Sequence, residues 1–355
     1  MLPDPILGES LLSPVTTSAL IETWLDRLLP PVDASPEPLH RAMRYAVFSG
    51  GKRLRPQLLL QVAHACGIEQ HELELALRAA CAVEFVHIAS LVHDDLPCFD
   101  DAATRRGRPT VHVLFGEAMA VLVGDALLAH GVEVLASAPR AFEKRALRLV
   151  RLLVGATGSR SGLIGGQGLE QVAAHSSAGA EAWCSPELIE RYHGMKTGIL
   201  FGMAAEAAAV AAGAVKTAGW AAVGQLFGRC YQLAHDHTFV RSRAASQPLA
   251  GGGTALGPPN AVLARGEQAV DISAERLDPV HPPDRVRIEI AEPLALLAEH
   301  DPRRPFDARP EDHEVCLELV EDLVAHGHGL HVHAAVRLEG ERGHVPERGD
   351  VLVLL

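Results

Sequence analysis

Aromatic side chains make up only 4% of the 355 residues, which leaves few rings on which bases could stack. Positive charge is also short. There are 32 lysines and arginines against 44 acids, a formal net charge of −12. A broad surface for phosphate backbones is thereby excluded, although a local basic pocket is not. No CxxC occurs among the cysteines at 66, 81, 98, 184, 230 and 316. Most fall in apolar helical stretches, so they read as small core residues of a reducing compartment and not as a disulfide frame. The N-terminus, MLPDPILGESLL, has no basic region and no long apolar run, so no signal peptide is expected. The most apolar stretches, 118–136 and 203–223, are broken by Asp125, Glu206 and Lys216. They read as buried helices and not as membrane spans. With 48% hydrophobic residues and a mean hydropathy of +0.12, the chain has material for a sizeable core. A soluble, cytoplasmic protein is expected.

Residues 17–240 read as helix after helix, with apolar positions three and four apart, as at Leu73, Ala76, Leu77 and Ala80. Helix stops are expected at Gly50-Gly51, Pro97, Arg106-Gly107 and Gly165-Gly166. Residues 244–260 are rich in Gly and Pro and read as a loop, with a short helical piece over 261–270. Beyond 275 the helical pattern ends. Val286, Ile288 and Ile290 alternate with charged residues as on a strand; 312–325 reads as a helix closed by Gly327. Stretches 330–338 and 351–355 read as two more strands. The expected organisation is an all-α domain over 1–270 and a small α+β appendage over 275–355.

The strongest chemical signal is HDDLPCFDDAATRRGRP, residues 93–109. Asp94, Asp95, Asp100 and Asp101 are followed at once by Arg105 and Arg106. Pro97 forces the helix to end or kink, which can fold the second acidic pair back toward the first. Clustered carboxylates are hard ligands suited to Mg²⁺, which commonly shares its shell with substrate phosphates. Adjacent arginines offer forked donors to phosphate oxygens. A second set, GGKRLRP at 50–56, places three cations within four positions after two glycines that allow close approach of a ligand. One carboxylate set with two separate basic sets matches a pair of diphosphate substrates.

These segments resemble the trans-prenyltransferases, the short-chain polyprenyl diphosphate synthases. RYAVFSGGKRLRPQLLL, EFVHIASLVHDDLPCFDDAATRRGRPTVH, GDALLA, GGQGLEQ, MKTGILF and CYQLAHD occur in the family's order across about residues 15–270. The resemblance implies an isoprenoid-synthase-like helical bundle around a central cavity, usually dimeric, with the helices at 118–136 as the interface. It implies that Lys52, Arg55 and His87 bind isopentenyl diphosphate and that Asp94, Asp95 and Asp100 bridge Mg²⁺ to an allylic diphosphate. Arg105 would hold the allylic diphosphate and Arg106 the isopentenyl one. Gln167, Lys196, Thr197 and Gln232 would line the reacting centre, with Lys196 neutralising the leaving group. Ala89, five residues before Asp94, stands where a ring stops growth at farnesyl, so the implied product is geranylgeranyl diphosphate, with farnesyl diphosphate the alternative. Neither nucleic acid nor membrane enters this reading.

The second acidic motif departs from the family. Where the pattern runs Gln, two residues, then Asp-Asp-x-x-Asp, this chain has Gln232 and then His235-Asp236-His237-Thr238-Phe239. Asp236 alone is kept as a metal ligand. Imidazole is a poor partner for Mg²⁺. No lysine follows Lys216. Two alternatives therefore stand beside prenyl transfer. One is a catalytically weakened regulatory subunit in a heteromer with another synthase. The other is a terpene-synthase-like enzyme on the same fold, against which the intact GGKRLRP and His87 count.

Overall fold

The computed structural model describes residues 14–174, 186–215, 217, 219–229 and 231–232, then strands at 286–289, 316–318, 332–336 and 351–354. The chain divides into two units, Met1–Ala182 with Glu187–Gln232, and Trp183–Pro186 with Leu233–Leu355. The first is helical: α1 (Pro14–Leu28), α2 (Glu37–Val47), α3 (Leu54–Ala65), α4 (Leu73–Asp94), α5 (Val111–Phe115), α6 (Glu117–Ala136), α7 (Glu143–Thr157), α8 (Leu163–Ala174), α9 (Pro186–His193) and α10 (Ile199–Ala211). A further helical segment, α11, covers residues 219–229 and 231–232. Residues Gly194–Gly198 form a π turn between α9 and α10. One antiparallel hairpin, β1 (Thr104–Arg105) and β2 (Arg108–Pro109), interrupts the helices.

The axis of this unit is α4. Its 22 residues carry no polar stripe, and 15 of them are buried. Such a helix is stable only when surrounded, and α6, α3, α10 and α1 surround it. α10 is built of small residues, ILFGMAAEAAAVA, almost all buried, which lets it lie close against α3 and α4.

Three sequence expectations need correction here. Helix α6 is not buried all round: Val121 and Leu122, with Val113 and Leu114 of α5, are 43–53% exposed. Its other face, Val123, Leu127 and Val134, is buried. Stretch 203–223 is not one helix, because α10 ends at Ala211 and the chain turns before α11. Gly165-Gly166 does not stop a helix but lies inside α8. A Cβ on Gly166 would sit 2.9 Å from the Lys196 nitrogen and 3.1 Å from Met195 carbons, so bare backbone is what lets α8 rest on the π turn. Two helices, Gln70–Asp94 and Glu117–Ala136, have the length and hydropathy of a membrane span; the first is mostly inside the fold.

In the second unit the strands β3 (Val286–Glu289), β4 (Cys316–Glu318), β5 (Val332–Val336) and β6 (Val351–Leu354) form one sheet in the order β4-β3-β5-β6. β3 runs antiparallel to β4 and parallel to β5, and β5 antiparallel to β6. The helix expected over 312–325 is therefore wrong at 316–318. A short apolar run fits either period, and pairing of Ile288 with Leu317 and Glu289 with Cys316 decides for the strand. The loop 244–260, the helix at 261–270 and the 235–239 motif lie outside the described residues.

One clasp fastens the start of α3 to the core. Arg53 adopts the left-handed conformation, φ 52°, as the N-cap of α3. Its Nη1 donates to Glu84 Oε1 on α4 at 2.9 Å, its Nε to Glu22 Oε1 on α1 at 2.8 Å, and its Nη2 to the Val47 carbonyl at 2.6 Å. Arg53 and Glu84 are both almost wholly buried. Removing one partner strands the other charge in the core. Arg53→Ala should cost about 3–5 kcal/mol in urea denaturation, whereas the exposed pair of Arg41 with Glu37 should cost at most about 0.5 kcal/mol when broken.

Candidate active site

Helix α4 ends at Asp94, and the chain then turns back on itself. The amide of Asp100 donates to the Asp94 carbonyl at 2.9 Å, that of Asp101 to Leu96 at 3.1 Å and that of Ala102 to Asp95 at 3.2 Å. The orphan carbonyls at the helix end are met by the loop that carries the second acidic pair. Asp94 and Asp100 are thus brought together, as Pro97 implied. Asp101 points into solvent at a positive φ of 48°.

Asp95 has a different fate. It is buried, and Arg105 grips it with Nε at 2.9 and 3.0 Å and Nη2 at 2.7 Å. This acid locks the β1–β2 hairpin to the end of α4. The hairpin turn, Arg106-Gly107, has both residues at positive φ, 52° and 74°, the type I′ geometry that matches strand twist. It swings the Arg106 guanidinium onto the Gly50 carbonyl. A Cβ on Gly51, φ 141°, would lie 2.5 Å from Arg106 Nη1. The close approach that the two glycines permit is made by Arg106 itself.

The cations fall into two kinds. Arg53 and Arg105 are held by acids, and both guanidiniums are more basic than usual; burial opposes this, and the hydrogen bonds to Glu22 and Glu84, or to Asp95, outweigh it. Arg55 and Arg106 shift the other way: burial lowers both, Arg106 adds to the fall at Arg55, and Arg53 and Arg105 add to the fall at Arg106. Arg55 lies 4.4 Å over the Phe201 ring of α10, and its Nε is buried without a partner among the described residues. His87 of α4 is pushed well below its usual value, first by burial and then by Arg55, Arg106, Arg105 and Arg53, so its imidazole is neutral. Lys52 is exposed at the edge. Three of the expected diphosphate ligands, Arg55, His87 and Arg106, thereby belong to one electropositive region.

The acids form a second group. Burial raises Asp94 to about 6; the Lys196 charge works against this, and Asp100 and Glu170 add to it. Asp100 is raised by burial and by the same Glu170. Lys196, in the π turn, donates to Glu170 Oε2 at 2.5 Å. Thr197 donates its hydroxyl to Gln232 Oε1 at 2.7 Å, joining the π turn to α11. Gln167 Nε2 on α8 is buried and has no partner among the described residues. Asp236 lies outside them.

Among the described residues no three or more His, Cys, Asp or Glu side chains could close on one ion. Asp94 and Asp100 together offer a pair of hard oxygen ligands of the kind Mg²⁺ takes alongside water and phosphate. Asp95, expected as a third ligand, is engaged by Arg105.

Sequence comparison bears on the same residues. The polyprenyl synthetase family matches residues 36–246. The chain belongs to the polyprenyl synthetase family. It is 45% identical over 202 residues to a geranylgeranyl diphosphate synthase of Cereibacter sphaeroides, covering 57% of this chain and 65% of that one. A geranylgeranyl diphosphate synthase of Rhodobacter capsulatus is 40% identical over 252 residues, 69% of this chain and 81% of its own. The chain thus spans just under two thirds of the first of these relatives. Among solved structures, an FPP/GFPP synthase from Zymomonas mobilis is similar at a TM-score of 0.57 and 34% identity, over 64% of this chain and 83% of that chain. A geranyltransferase from Legionella pneumophila gives 0.59 and 29%, over 65% and 79%. The all-α reading and the trans-prenyltransferase resemblance agree with these synthetase neighbours.

Two residues of this synthetase site escaped the sequence reading. Glu170 was available as a carboxylate three positions after Gln167, one turn along the same helix. Tyr192, buried beside Glu170, had no signal beyond standing four residues before Lys196.

The raised Asp94 carboxyl has a measurable consequence in the metal-free protein. Its ordinary value is 3.8 and its folded value about 6. In that window the folded state holds a proton that the unfolded chain has released. Asp94's contribution to stability is therefore present at the acidic end and is lost as pH rises through about 6. Asp94→Asn should flatten that slope, read by chemical denaturation at about pH 4.5 and about pH 7; an unchanged slope would contradict the assignment.

Proposed function

We propose that this protein condenses isopentenyl diphosphate with an allylic diphosphate to give geranylgeranyl diphosphate. The observation that carries the reading is the pairing of an arginine region with no bound acid against an acidic pair that faces a lysine. The relatives named as geranylgeranyl diphosphate synthases support it.

Lys52, Arg55 and Arg106 bind the isopentenyl diphosphate, with neutral His87 donating a hydrogen bond without adding charge. Asp94 and Asp100 are the residues that would hold Mg²⁺, which would offset the charge of the allylic diphosphate. Asp95 keeps Arg105 fixed, and the remaining Arg105 nitrogen is available to a diphosphate oxygen. As the allylic C–O bond breaks, Lys196 donates to the departing oxygen. Stabilising charge that appears in the transition state is where such a group contributes most. The Thr197 and Gln232 dipoles, together with Gln167, face the allylic cation. The isopentenyl double bond then attacks it. The adduct loses a proton to the released diphosphate, and the apolar walls of α4 and α10 keep water away.

Ala89 is fully buried, and Phe85 packs its ring against His130 of α6 at 5.1 Å, so no ring stands on α4 one to two turns before Asp94 at the Ala89 position. That supports the longer product. The wet apolar strip of α5 and α6 supports a homodimer closed through it, since Val113, Leu114, Val121 and Leu122 are large exposed side chains on adjoining helices. A cytoplasmic setting accords with Cys66, Cys81 and Cys98, which are free among the described residues. A second reading, a regulatory subunit within a heteromer, is favoured by the His-Asp-His-Thr-Phe run alone.

The deciding experiment incubates the protein with Mg²⁺, isopentenyl diphosphate and dimethylallyl, geranyl or farnesyl diphosphate in turn, and weighs the product. A geranylgeranyl mass is expected. Hydrocarbon formed without isopentenyl diphosphate would mean a terpene-synthase-like enzyme. Absence of product, with rescue by a second synthase, would mean the subunit. For the assembly, Leu122→Glu should turn a dimer into a monomer in sedimentation velocity; a dimer that survives it lies elsewhere.

A further inference from the structure

Lys196 is a flexible point charge with three acids near it: Glu170, Asp94 and Asp100. Four carbons of free rotation and three rival partners give no reason for a single position. The structure nonetheless sets it on Glu170, with its nitrogen 5.7 Å above the centre of the Tyr192 ring. Tyr192 is 3% exposed, and its side chain is hydrogen-bonded to Glu170. Glu170 thus has a phenol on one side and an ammonium on the other.

The backbone explains why these three groups meet. Gly166 rests on the π turn at Lys196, and Glu170 stands four residues further along α8, on the same face. Tyr192 ends α9 and Lys196 lies in the π turn that follows it, where the widened helix turns both side chains to that face. The phenol is a durable donor. Burial raises its ionisation well above the usual value and the Glu170 charge adds to that, so it keeps its proton throughout the working range.

We propose that Tyr192 is a positioning residue: by fixing the Glu170 carboxylate it holds the Lys196 ammonium at the acidic mouth, ready to pass to a diphosphate oxygen. The proposal deepens the reading of this site as one for a departing diphosphate. Without the phenol, Glu170 swings, and Lys196 divides its time among Asp94, Asp100 and water. Substrate still binds through the arginines, but the leaving oxygen meets its donor less often. Turnover falls and apparent affinity for isopentenyl diphosphate does not.

The test uses the full-length, metal-free protein and needs no turnover. Limited labelling with acetic anhydride, followed by peptide mass spectrometry, reads how protected the Lys196 amine is, with exposed Lys144 of α7 as internal reference. Tyr192→Phe keeps the ring and removes the hydroxyl; it should raise Lys196 labelling about 3–10-fold, and Glu170→Gln about tenfold or more. In both, Lys144 labelling stays constant. Unchanged Lys196 labelling in Tyr192→Phe overturns the proposal, even if Glu170→Gln raises it. Should Tyr192→Phe raise Lys144 labelling as well, the fold has loosened. Glu170→Asp, which keeps the charge and shortens its reach, then decides by the same criterion. In steady state, Tyr192→Phe should lower kcat about 3–10-fold with KM for isopentenyl diphosphate within about twofold; a rise in KM alone overturns it. If the wild-type protein makes no product, the proposed function fails, and the labelling result still stands or falls by itself.

Discussion

Arg53 reaches from a left-handed residue at the head of α3 into the middle of α4, where Glu84 is buried, and sideways to Glu22 on α1. The rest of the site depends on that reach. A buried carboxylate on the central helix is tolerable only with a fixed cation, and the cation comes from the same short segment that carries Lys52 and Arg55. Fastening Arg53 inward therefore fixes where its neighbours face. Arg55, two residues on, lies along the Phe201 ring with a nitrogen left unpartnered among the described residues. One basic run is split into a structural member and members that await an anion.

The loop from Asp95 to Pro109 repeats this division. Its amides satisfy the carbonyls at the end of α4, so Asp94 and Asp100 are gathered by backbone bonds that need no metal. Asp95 is then taken by Arg105, which anchors the hairpin. The type I′ turn that follows throws Arg106 across to Gly50, into the region of Arg55 and His87. Arg105 thus stays with the acids, while Arg106, the next residue, is carried by the turn to the Gly50 carbonyl.

Much of this was legible in the sequence. Asp94 and Asp100 lie near Lys196, Arg55 lies near His87, and Thr197 bonds Gln232, groupings that motif order and helical spacing foreshadow. What the sequence hid is which charges pair. Asp94 and Asp95 look alike in a string, yet one faces the site and the other is buried under Arg105. Arg53 and Arg55 differ as much. Pairing of this kind is decided by the direction each side chain leaves the backbone, and that direction turns on a single positive φ at Arg53 and another at Arg106. Gly165-Gly166 failed for a related reason: a glycine pair marks close backbone approach as readily as a helix end. The tail misled at 316–318 because a three-residue strand is chosen by its partner and not by its own residues.

The arrangement holds repulsion of both signs. Burial and neighbouring arginines lower the basicity of Arg55 and Arg106, while Asp94 and Asp100 hold their protons more tightly than free carboxyls do. A protein that needed only stability would pair these groups, as it has paired Arg53 with Glu84 and Arg105 with Asp95. Leaving them apart makes sense under the proposed function, in which the two regions serve different substrates: anionic oxygens of isopentenyl diphosphate would meet the arginines, and a divalent ion travelling with the allylic diphosphate would meet the acids. Lys196 is the exception that fits, because its charge is already matched by Glu170 and must be released to act. Under the proposed function, that would make its transfer a late event, coupled to the appearance of negative charge on the leaving oxygen and not to binding.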